Sequence, residues 1–101
     1  MESNPVPIMA TQRLDKWLKI ARLFKTRSQA TEACDERRVK VNGQVAKPAK
    51  EIRIGDTLTI RHHGGTYIEL EVVQLCSKSI AAALARQLYT LHVRETTPEE
   101  Q

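Results

Sequence analysis

The chain has 101 residues, 41% hydrophobic and 28% charged, a composition that describes one compact domain and excludes both a disordered chain and a second core. No apolar run approaches the roughly 18 residues needed to cross a bilayer; residues 1–12 lack the basic and apolar regions of a signal peptide; and Cys34 and Cys76 are too far apart to suggest a disulfide framework or a metal site, so a cytoplasmic protein without membrane contact is expected. The net charge of +4 is unevenly placed: residues 13–50 carry eleven Lys and Arg against four Asp and Glu, leaving the rest at −3, an asymmetry that points to a polyanionic partner rather than an evenly solvated surface.

Residues 1–12 are polar and broken by Pro5 and Pro7, and form an expected leader. From Arg13 onward, Leu14, Trp17, Leu18, Ala21 and Phe24 recur at helical spacing, which predicts an amphipathic helix over 14–24 with Trp17 on its buried side. Lys16, Lys19 and Arg22 fall on the opposite side with Asp15 beside them, a first-turn carboxylate expected to favour the helix dipole and to orient neighbouring Arg or Lys side chains. Thr26 followed by Gln29 is a capping-box spacing and predicts a second helix. Its stripe of Ala30, Ala33 and Cys34 is small enough for close packing on the first helix. Arg27 and Ser28 occupy its first turn, where amide donors, the positive dipole end and a guanidinium fork favour a phosphate.

Val39-Lys40-Val41 followed by Asn42-Gly43 predicts a tight β-hairpin continued by Val45 and Ala46, because Asn-Gly accepts the positive φ angles of its turn. Ile52 and Ile54 suggest a further short extended piece, and Gly55-Asp56 turns the chain into the alternating strand Leu58–Arg61. His62 to Gly65 reads as a solvated hairpin loop, and Tyr67 to Leu75 as a β-branched strand. Ser79 opens a weaker helix carried by Ile80, Ala83, Leu84, Gln87 and Leu88, with Tyr89 in it; residues 94–101 form an acidic tail.

Catalytic constellations are nearly absent. His62 and His63 diverge in a turn without Cys or carboxylate companions, His92 stands alone, and the glycines match neither a dinucleotide fingerprint nor a P-loop. No enzyme, cofactor or metal is expected, and both cysteines read as small packing residues. Four aromatic residues are too few for single-strand recognition by stacking. What remains is a cationic helix pair beside a hairpin bearing Lys40, Asn42 and Lys47, suited to gripping folded RNA by phosphates and 2′-hydroxyls.

Arg13-Leu14-Asp15-Lys16-Trp17-Leu18, then Thr26-Arg27 with Ala30, then Val39-Lys40-Val41-Asn42-Gly43 and Gly55-Asp56 resemble the S4-type RNA-binding domain of ribosomal proteins and pseudouridine synthases. The flanking residues, with Lys47-Pro48 after the hairpin, are similar to the stand-alone S4 proteins of the bacterial heat-shock and ribosome-associated quality-control group. That resemblance implies an α+β, S4-like (alpha-L) domain over 13–93: two N-terminal helices on a small, mostly antiparallel sheet with a short C-terminal helix. It implies a non-catalytic binder of rRNA and tRNA on the large ribosomal subunit that still holds a stalled peptidyl-tRNA; a monomer is expected. By position it maps RNA contacts onto Arg13, Lys16, Arg22 and Arg27, with Lys25 and Lys40 nearby; Lys19, Thr26, Ser28, Arg38, Asn42 and Lys47 complete the expected surface. The acidic C-terminal end favours the shorter quality-control group over the heat-shock group, whose C-terminal extension is basic. One departure stands out: Arg37 occupies the position where the family usually has a glycine closing the second helix in a left-handed cap.

Two other functions fit the same residues: an RNA-targeting accessory subunit for an RNA-modifying enzyme, and a basic protein-interaction module. A DNA-binding role is weaker, because no helix-turn-helix spacing presents base-reading side chains. The RNA reading predicts that Arg13→Ala and Arg27→Ala weaken binding with little change in melting temperature.

Overall fold

The computed structural model describes residues 10–62 and 64–95, the last three as backbone alone. Residues 1–9 of the expected leader, His63 and residues 96–101 of the acidic tail lie outside the described residues. Two helices, α1 (Leu14–Ile20) and α2 (Arg27–Asp35), pack on an antiparallel sheet. Its strands are β2 (Val39–Val41), β3 (Gln44–Val45), β5 (Thr57–Arg61), β6 (Tyr67–Val72) and β7 (Tyr89–Glu95), in the order β3-β2-β5-β6-β7. A separate two-stranded ribbon joins β1 (Gln12–Arg13) to β4 (Glu51–Ile52). The short helix α3 (Ala82–Ala85) and a 3₁₀ turn over Arg86–Leu88 lead into β7.

The core lies between the helices and one face of the sheet. Leu14, Trp17, Leu18 and Ile20 of α1, with Ala30, Ala33 and Cys34 of α2, meet Val39, Val41, Leu58, Ile60, Leu70 and Val72. Trp17 is fully buried, donates from Nε1 to the Gln74 carbonyl at 2.9 Å and meets Tyr89 edge-on. The strand residues alternate: Lys40 between Val39 and Val41, and Thr59 between Leu58 and Ile60, point to the opposite, solvent-facing side of the sheet. Burial pushes the Cys34 thiol up to about 12, with Asp15 and Asp35 adding to the shift, which makes it the inert packing residue its place in the stripe implies.

Both helices end in the same way. Arg22 (φ 62°) and Arg37 (φ 64°) take the left-handed conformation. Leu23 N–H donates to the Leu18 carbonyl and Arg22 N–H to Lys19; Arg38 and Arg37 do the same to Ala33 and Cys34. These are Schellman closures, which glycine usually makes and which cost an L-residue about 1–2 kcal/mol. The closure at Arg22 stops α1 at Ile20, so the helix does not reach Phe24 as its spacing predicts. Phe24 packs on the core from an irregular connection. The departure at Arg37 is met by accepting the strain, not by rebuilding the cap.

Four further expectations need correction. Gln12, placed in the leader, is buried in β1, where its amide bridges the chain by donating to the Cys76 carbonyl and accepting from the Cys76 N–H at 3.0 Å. Strand β6 ends at Val72, because the N–H groups of Val73 and Gln74 turn to the Leu88 carbonyl. Of the helix expected from Ser79, only Ala82–Ala85 is α-helical; Tyr89 opens β7, which pairs antiparallel with β6 through a register shift at Glu69/Leu70. His62 is half-buried against the Phe24 ring, 6.0 Å between centroids, not loose in a solvated loop.

Candidate nucleic-acid interface

The centre of the α1–α2 face is a carboxylate. Asp15 is only 1% exposed, yet it sits between two half-exposed arginines. Arg13 donates to it through Nε and Nη2, each at 3.0 Å, as a two-pronged fork. Thr31 Oγ1 donates at 3.1 Å, and Arg27 Nε lies 3.5 Å away. Burial pushes the Asp15 carboxyl up, but the hydrogen bonds from Arg13 and Thr31 and the charges of Arg27 and Arg13 outweigh it and hold it below the usual carboxylate range. Asp15 therefore orients neighbouring arginines, as its place in the first turn suggests, and its burial sets it beneath them. Anchoring from below orients both guanidinium groups while about half of each arginine side chain stays exposed.

Local structure makes this geometry possible. The first two amides of α1 are satisfied by backbone, Leu14 N–H by Lys50 and Asp15 N–H by Pro48, so the start of α1 is locked to the 48–50 loop. Thr26 caps α2, its hydroxyl accepting from Gln29 N–H at 3.0 Å. That cap sets Arg27 and Ser28 in the exposed first turn and points Arg27 across to Asp15.

At the other end of α1, Lys19, Arg22 and Lys25 border a groove of about 320 Å³ together with Ser79 and Ile80. Lys19 Nζ donates to Ser79 Oγ at 3.2 Å, and Arg22 Nη2 to the Ile80 carbonyl at 2.8 Å. Lys16 is half-buried on the same helix. Lys16 and Lys19 share α1 with Asp15, whereas Arg22 and Lys25 follow its C-terminal end.

The structure does not bring every expected residue to that face. Lys40 projects from the solvent side of the sheet, which the core separates from α1 and α2. Arg38 faces the same way, held by Glu36 at 2.9 Å and by donating to the Arg61 carbonyl at 2.8 Å. Asn42 is spent on the fold: it forms the hairpin turn (φ 52°), donates to Asp56 and accepts from Thr57 N–H. Lys47 lies beside a separate hairpin groove with Lys50, which sequence reasoning passed over. Also passed over were Arg37 and Arg61; strand alternation from Leu58 was the available signal for Arg61.

Residues 12–58 match the S4 domain model. The chain is 37% identical over 89 residues to the RQC P-site tRNA stabilizing factor of Listeria innocua, covering 88% of this chain and 95% of that protein. It is 36% identical over 87 residues to the Bacillus subtilis factor of the same name, covering 86% and 99%. Its structure superposes on heat shock protein 15 of Vibrio cholerae, solved as a trimer, with a TM-score of 0.75 at 37% identity over 81% of this chain and 82% of that one. The chain thus belongs to the S4-domain family, in the group of small proteins that holds the RQC P-site tRNA stabilizing factors and heat shock protein 15.

Proposed function

We propose that this chain binds structured RNA without catalysing a reaction, and that its ligands are rRNA and tRNA on a cytoplasmic large ribosomal subunit holding a stalled peptidyl-tRNA. The observation that carries this reading is the buried Asp15 carboxylate, which orients Arg13 and Arg27 outward from beneath. Two oriented forks suit phosphates along a folded RNA backbone, where shape rather than base sequence is read. The match in length and identity to proteins named for stabilising P-site tRNA supports the choice of ligand. The chain acts as a monomer in this reading, in contrast to the trimer in which the Vibrio cholerae relative was solved.

Binding to purified large subunits at a series of salt concentrations tests the proposal. About six phosphate contacts give log K against log salt a slope near −4 to −5. Affinity that is indifferent to salt, or that survives RNase digestion of the target, contradicts it.

A further inference from the structure

We propose that the solvent face of the sheet carries a second contact for a nucleic-acid phosphate backbone, built around Arg37 and Arg61 and separate from the α1–α2 face. The inference rests on the reading that the chain binds RNA. It starts from Arg37, which closes α2 in a left-handed conformation that glycine adopts without strain. Left-handed strain in a non-glycine residue recurs at functional sites, and the Arg37 side chain is exposed with no ion pair among the described residues. Arg61 ends β5 on the same face as Lys40 and Thr59, because Leu58 and Ile60 between them point into the core.

The neighbouring groups make a platform. Arg38 is fixed by Glu36 and the Arg61 carbonyl, and Arg61 N–H donates to the Arg38 carbonyl at 2.8 Å. Arg37, Arg38, Lys40 and Arg61 together line one groove of about 450 Å³ with Thr59 and Tyr67. Glu36 is the carboxylate paired there, with Arg38. Two features bound the platform: Glu32 and Asp35 of α2 line the Arg13–Arg27 surface, and on the neighbouring strand Glu69, directly across from Thr59, and Glu71 face His92. A groove with this charge suits a line of phosphates, and the core between the helices and the sheet makes it a second anchor instead of an extension of the first.

Arg37→Gly, Arg61→Gln and the double variant test this, with purified large subunits and a fluorescein-labelled RNA hairpin as probes. Arg37→Gly is expected to melt above the wild type, because the strain is relieved, and yet to bind severalfold more weakly. Each substitution should shrink the salt slope by about 1, and the double variant by about 2. Wild-type slopes in these variants while Arg27→Ala loses affinity would overturn the second contact and leave the RNA reading intact. Loss of an RNase-resistant protein complex with unchanged RNA slopes would overturn it in favour of an acidic protein partner. A wild-type chain that binds neither probe defeats both readings.

Discussion

Asp15→Asn is expected to lower stability at neutral pH by about 2 kcal/mol, the scale of a buried group losing charge-assisted hydrogen bonds. Asparagine keeps the shape, but one of its two polar ends is a donor facing Arg13 and Thr31, which are donors already. The expected pH dependence has a definite sign. The folded carboxyl is held below its ordinary value, so its contribution is fully present above the ordinary carboxylate range. That contribution is lost as pH falls through the folded value. Urea melts of the wild type and Asp15→Asn should therefore differ at pH 7 and converge in strong acid. Equal stability at neutral pH would show that the carboxylate does not anchor the arginines.

Replacing Arg13 and Arg27 together should weaken binding to large subunits by about a hundredfold, roughly tenfold for each charged contact. The salt slope should fall by about 2. The structure changes one part of the sequence-based expectation: these variants will not keep the wild-type melting temperature. Arg13→Ala removes two 3.0 Å hydrogen bonds from a buried carboxylate, whereas Arg27→Ala removes a 3.5 Å ion pair. The first should lower the melting temperature more than the second. Binding is therefore to be measured well below the transition, where a loss of affinity reflects the surface and not unfolding. Arg27→Lys keeps the charge but not the fork, and should fall between wild type and Arg27→Ala.

The elements that were legible in the sequence are those fixed by local chemistry. Thr26 with Gln29 gives a capped helix, Asn42-Gly43 gives the hairpin, and the spacing from Leu14 to Ala21 gives the buried side of α1. Helical spacing could not see the end of α1, because a left-handed arginine at 22 breaks the helix without any glycine or proline to announce it. Strand β7 carries a signal of its own, since Tyr89, Leu91 and Val93 alternate with polar residues, but the helical spacing from Ile80 to Leu88 masks where it begins. The site shows the same division. Charge density marked Arg13, Lys16, Lys19, Arg22, Lys25 and Arg27 as one surface; the structure sets Arg13 and Arg27 around a buried Asp15, and Lys19, Arg22 and Lys25 around a second groove. It also places Arg38 and Lys40 across the sheet, since a run of basic residues does not record which face each one takes.

The central claim is that the cationic α1–α2 face meets large-subunit RNA and tRNA. The most direct measurement is ultraviolet crosslinking in cells followed by sequencing of the attached RNA, with the Arg13→Ala, Arg27→Ala variant alongside the wild type. Enrichment of large-subunit rRNA together with tRNA, lost in the variant, is the expected result. Crosslinks spread over messenger RNA, or an rRNA and tRNA signal undiminished in the variant, would contradict the account.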